Sequence, residues 1–87
     1  MTFDDAYYVA MQNRTAQIVT AVVPWLSVQH TAYCLQLVDA NEFGVALELM
    51  GWVLSKQNAQ IESNVAHDFR ALATEIGMPE AASWIAD

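Results

Sequence analysis

Apolar residues return every three or four positions along almost the whole chain. No stretch alternates apolar with polar long enough to build a half-buried strand. That spacing lines side chains along one stripe of a helix, so the chain is expected to be all-α. Pro24 and Pro79, with Gly44, Gly51 and Gly77, punctuate the pattern, and no Gly-Pro-rich linker or repeat divides it. A length of 87 residues suits one domain and not two. The expectation is a compact bundle of four to five short helices, with residues 1–87 as a single α-helical domain.

The spacing predicts helix 1 over 4–22. Asp4 and Asp5 sit where a helix N-terminus favours negative charge. Phe3, Tyr7, Met11, Ile18 and Val22 form its stripe, with Arg14 interrupting. Pro24 cannot continue a helix, so the chain turns there. Helix 2 is predicted over 28–40, capped by Ser27, with Val28, Ala32, Leu35 and Val38 inward and Tyr33 and Leu37 flanking. Helix 3 is predicted over 42–56, with Phe43, Ala46, Leu47, Met50, Val53 and Leu54 inward. Asn41 or Asp39 is its expected cap, because Asp39 and Glu42 have capping-box spacing. Gly44 and Gly51 each cost a helix about 1 kcal/mol relative to Ala, so they are expected to allow close approach of a neighbouring helix. Helix 4 is predicted over 62–76, with Val65, Phe69, Leu72 and Ile76 inward and Gly77 ending it in the left-handed conformation. Pro79 then starts a short helix 5 that docks Trp84 and Ile85.

Charge and composition narrow the function classes. Ten acids against three bases give a net charge of −7. Arg14, Lys56 and Arg70 are scattered, so no basic patch neutralises phosphates, and direct nucleic-acid binding is not expected. An acidic surface speeds encounter with a basic partner, and it also keeps an apolar-rich protein soluble. The longest apolar candidate, 18–26, is interrupted by Thr20 and Pro24, so no membrane span is expected. The N-terminus has no basic segment ahead of an apolar one, unlike a signal peptide. The lone Cys34 suits a reducing compartment, and the expected location is the cytoplasm. A chain this short buries only roughly 60% of its unfolded surface, so a partner or a second copy would add stability by mass action.

Catalytic chemistry is nearly absent from the pattern. His30 and His67 have no partner at metal-ligand spacing, and no phosphate loop or calcium loop occurs, so no metal and no cofactor is expected. Cys34 follows His30 by four residues and shares a helix face with it, but no orienting carboxylate or oxyanion donor accompanies them. Asp68 and Glu75 stand seven apart on helix 4 and read as a solvated acidic face. Acyl carrier proteins are small, acidic and helical too, yet none of the serines here follows an aspartate. Ten acids are also few for a mimic of DNA. The chain is not expected to be an enzyme.

The most informative stretch is Asn41-Glu42-Phe43-Gly44-Val45-Ala46-Leu47-Glu48-Leu49-Met50. It resembles the core motif of small bacterial immunity proteins, the MafI-like proteins and the CdiI proteins of contact-dependent growth inhibition. In these, Glu, an aromatic, Gly, an aliphatic, Ala, Leu and Glu open a helix after a turn. The resemblance runs in outline from Ser27 to Gly77, while helix 1 and the tail have no clear counterpart. It implies a cytoplasmic protein that binds the C-terminal effector domain of a cognate toxin and blocks it. Many such effectors are basic nucleases, which an acidic inhibitor complements.

Six residues are the expected contacts: Asp39, Glu42, Glu48, Trp52, Asp68 and Glu75. Each has a structural reading beside the functional one. Glu42 stabilises the start of helix 3 or meets the toxin. Trp52 covers the edge of the core or serves as a hot spot beside Glu48. Asp39 caps helix 3 or makes a contact, and Asp68 and Glu75 belong to the solvated face or the interface. The alternative function is a non-enzymatic helical module of a multiprotein or phage-derived assembly, held by Tyr7, Tyr8 and the three tryptophans.

Overall fold

The computed structural model describes residues 3–85, with side chains from Asp5 onward. The side chains of Phe3 and Asp4, assigned above to helix 1, lie outside the described residues. The chain forms α1 (Phe3–Val22), α2 (Val28–Asp39), α3 (Phe43–Lys56) and α4 (Ser63–Glu75), with 3₁₀ segments at Val23–Trp25 and Pro79–Trp84. The described residues contain no strand. The all-α bundle is therefore observed, and its fifth piece is a 3₁₀ segment.

Helix α1 packs on α2, α3 and α4, and α2 packs on α3. Helices α3 and α4 touch each other little, and the C-terminal 3₁₀ segment bridges them. The radius of gyration is 12.3 Å, close to the roughly 12 Å expected of a folded chain this long. One core runs through all four helices, with Met11, Val19, Leu47, Met50, Phe69 and Leu72 almost wholly buried. Thr15 is buried among them because its hydroxyl donates to the Met11 carbonyl at 2.7 Å.

The ends of α2, α3 and α4 close in the same way. Helix α2 ends with Glu42 N–H donating to Leu37 O and Asn41 N–H to Val38 O. Helix α3 repeats this through Ala59 to Leu54 and Asn58 to Ser55, and α4 through Met78 to Ala73 and Gly77 to Thr74. These are Schellman closures, each needing a left-handed residue. Asn41, Asn58 and Gly77 fill it at φ of 62°, 49° and 84°. Asparagine tolerates that conformation better than most side chains. Ser27 Oγ accepts from His30 N–H at 2.9 Å, so it caps α2 as expected.

Several expectations need correction. Helix α2 buries Cys34, Leu37 and Val38, while Val28, Ala32 and Leu35 are exposed, so its inward face is rotated from the expected one. Neither Asn41 nor Asp39 caps α3: Asp39 is the last residue of α2, Asn41 Oδ1 accepts from Gln12, and Glu42 occupies the cap position without a side-chain cap bond. Helix α4 buries Ala66 and Ala73 beside Phe69 and Leu72, and Val65 and Ile76 are only half-buried. On α1, Tyr7 is exposed and Val19 is buried in the core. The inward stripe of α3 is as read from the sequence.

The neighbour admitted by the α3 glycines is not another α-helix but the C-terminal 3₁₀ segment and the Met78 that precedes it. A Cβ on Gly44 would lie 2.8 Å from Met78 Sδ, and one on Gly51 would lie 2.8 Å from the Trp84 ring. Arg70 fastens the segment, donating to the carbonyls of Ala82 and Ile85 at 3.2 and 3.3 Å.

Candidate functional site

Helix α3 divides lengthwise into three strips. One strip enters the core. A second, holding Gly44 and Gly51, carries the C-terminal segment. The third holds Val45, Glu48 and Trp52 and faces outward. The last two strips adjoin because a helix turns about 100° per residue.

At the far end of α3, Glu48, Trp52, Ser55, Lys56 and Trp84 line a groove of about 370 Å³. Trp52 is 56% exposed, so it does not seal the core. Its ring meets His30 edge-on at 6.5 Å and carries the Lys56 ammonium 5.8 Å from its centre. No ion pair holds Glu48 among the described residues.

At the near end, a second groove of about 410 Å³ is lined by Tyr7, Tyr8, Asn41 to Val45, Glu75, Ile76 and Met78. Its wall brings α1, the α2–α3 turn and the end of α4 together. Tyr7 and Tyr8 meet edge-on at 5.4 Å, and Tyr8 lies 6.5 Å from the Phe43 ring. Glu75 also forms an ion pair with Arg14 of α1.

The six expected contact residues therefore fall in separate places. Glu48 and Trp52 share one groove, and Glu42 and Glu75 share the other. Asp68 stands apart in a small hollow with Arg14, Gln17 and Ile18. Asp39 is exposed at the end of α2 and lines none of these grooves. Sequence reasoning placed Tyr7 and Tyr8 in an alternative function and missed their position beside Glu42 and Glu75. No local signal marks that meeting, since the residues come from three distant parts of the chain.

All three cations are engaged within the fold. Arg14 pairs with Glu75, Arg70 holds two carbonyls and Lys56 lies over Trp52. The Arg14–Glu75 pair is part-exposed and is worth about 0–1 kcal/mol. The acids outnumber these bases by seven, so the surface field is negative.

Cys34 is wholly buried, and burial pushes its thiol above the usual range because the thiolate would lose its hydration. A nucleophilic cysteine needs the opposite shift, and His30 meets the Trp52 ring. Native protein at pH 8 is expected to resist an aromatic disulfide reagent, and denatured protein to react at once. The raised folded value favours the protonated form, so this contribution to stability is full below the unfolded thiol's value, about 8.5. It is lost as pH rises through the folded value. A chemical-denaturation series from pH 7 to 10 reads that loss, and Cys34→Ala should remove it.

Among the described residues, no group of three or more His, Cys, Asp or Glu side chains is placed to hold a metal ion. No helix there is long and apolar enough to cross a membrane. No protein-family model, curated protein or solved structure matches this chain. The functional reading therefore rests on the residues and on the resemblance at Glu42 to Glu48.

Proposed function

We propose that this protein is an immunity protein that binds a cognate bacterial toxin effector domain, a basic nuclease, and neutralises it in a one-to-one complex without turnover. The observation that carries the reading is the outward strip of α3, where exposed Trp52 stands one turn from Glu48 on an acidic protein. A large aromatic left in solvent beside a carboxylate is the composition of an interface centre, since binding energy concentrates in a few aromatic and charged anchors. The motif that resembles the immunity families, Glu42 to Glu48, opens the same helix. A cytoplasmic location goes with that role.

The test is co-expression with the product of the adjacent gene, scoring growth and a copurified complex. Rescue of growth with a one-to-one complex supports the reading, and a harmless neighbour that forms no complex overturns it. Within such a complex, Glu48→Lys is expected to slow association severalfold at low salt and leave the melting temperature unchanged. Asp68→Lys alters only the distant field and should have the smaller effect. Equal association rates for wild type and Glu48→Lys across a salt series would remove the electrostatic part of the proposal.

The second reading, a helical subunit of a larger assembly held by Tyr7, Tyr8 and the tryptophans, gains a further surface on α2. Val28 and Tyr33 on α2 are 84% and 51% exposed, and Leu35 also faces out. Self-association or assembly through α2, with Glu48 and Trp52 free, would favour it.

A further inference from the structure

The near-end groove has a character of its own. Tyr7, Tyr8 and Val45 expose apolar surface there, backed by half-buried Ile76 and Met78. Its size falls within the range of ligand clefts. Gly44 lets Met78 pack close against α3 there, its Sδ only 2.8 Å from where a Cβ at 44 would stand.

The electrostatics of the groove have one sign in excess. Glu42 and Glu75 are on its wall, and none of the three cations is. Helix α4 also ends there, at Glu75 and Ile76, and the turn after α2 contributes Asn41. A helix C-terminus carries partial negative charge and is commonly matched by a basic residue in its last turn. Helix α4 has none. The start of α3 opposes this with partial positive charge, but Glu42 stands at that start. Arg14 offsets Glu75 from the α1 side through Oε2 alone, and a carboxylate has two oxygens with several acceptor sites.

We infer that this groove docks a basic amphipathic segment of a partner protein, seating an arginine or lysine side chain with an apolar neighbour. The stem of the basic side chain runs along Tyr7, Tyr8 and Met78, and its charged head reaches Glu42 and Glu75. Long basic side chains bury their stems on apolar surface in this way, and guanidinium groups also stack on aromatic faces. A second copy of this chain is the poorer occupant, because it too carries −7. The inference rests on the inhibitor reading for the partner's identity and not for the chemistry of the groove. It adds a second anchor about 10 Å along α3 from Trp52, the rise of the seven residues from Val45.

The test uses the full chain, isotopically labelled, titrated with an amidated peptide of alternating arginine and leucine, and with its glutamate–leucine counterpart. Expected shifts centre on Tyr7, Tyr8, Asn41 to Val45 and Glu75 to Met78, and appear only with the arginine peptide. Glu42→Gln should weaken that binding about threefold at low salt, and Tyr8→Ala about fivefold, in proteins whose spectra remain folded. Shifts spread over the surface or centred elsewhere would overturn the inference, as would equal affinity in both variants. Concentration-dependent shifts at the same residues without peptide would make a second copy the occupant and overturn it too. Peptide seating without growth rescue ends the inhibitor reading alone. Growth rescue with the peptide bound elsewhere ends this inference alone.

Discussion

Gly51→Ala is expected to destabilise the fold, against the sign that helix propensity demands. Inside an exposed helix, alanine in place of glycine stabilises by about 1 kcal/mol. Here the new Cβ would stand 2.8 Å from Trp84 Cε3 and 3.1 Å from Trp84 Cβ. The Trp84 Cβ is tied to the backbone, so the whole C-terminal segment must shift. Overpacking of this kind costs about 1–3 kcal/mol, which leaves a net loss of up to roughly 2 kcal/mol. For a domain of this size that lowers the melting temperature by up to roughly 15 °C. Gly51→Leu should cost more, about 3 kcal/mol, because it adds three further carbons beyond a Cβ that already clashes with Trp84. Gly44→Ala is the control. Its contact is the flexible Met78 thioether, so it should change stability by less than about 1 kcal/mol. In a Trp84→Ala background the Gly51→Ala penalty should vanish, a coupling that a double-mutant cycle measures. A higher melting temperature for Gly51→Ala would mean that the segment does not pack on α3 as described.

That example shows what the sequence reveals and what it conceals. The glycines announced a close neighbour because each carries a propensity cost. They did not say which neighbour, since Trp84 lies thirty-three positions further along the chain. The face of α3 was legible because its inward residues are large and its outward ones include Glu48 and Ser55. The face of α2 was not. Val28 and Leu35 are apolar yet exposed, while Cys34 is small and wholly buried, so counting apolar residues selected the wrong phase. Gly77 was legible as a helix terminator, and Asn41 and Asn58 do the same work under a less telling name. The pairing of Glu48 with Trp52 could be read from one-turn spacing. The meeting of Tyr8 with Glu42 and Glu75 depends on tertiary packing that no local pattern records.

Trp52→Ala separates the two readings of that residue, with the larger effect expected in binding. Two local contacts would be lost: the edge-on meeting with His30 and the Lys56 ammonium over the ring. Such contacts are worth about 0.5–1.5 kcal/mol for an aromatic pair and about 0.5–1 kcal/mol for an exposed cation–π pair. With the ring 56% exposed, little core burial is forfeited, so the total stability loss should stay within those two contacts, about 1–2.5 kcal/mol. In a complex with the adjacent gene's product, an aromatic anchor at an interface centre contributes about 2 kcal/mol or more, roughly thirtyfold in affinity. Most of that should appear as faster dissociation, because truncation leaves long-range charge untouched. The two quantities move in opposite order under the alternative. If Trp52 only covered the core edge, melting temperature would fall steeply while the dissociation rate of any complex stayed unchanged. Glu48→Gln tested beside it divides the contribution further, since loss of a carboxylate should slow association where loss of the ring should hasten dissociation. A variant pair that behaves this way makes the outward strip of α3 the energetic centre of the interface, with charge governing encounter and the indole governing residence.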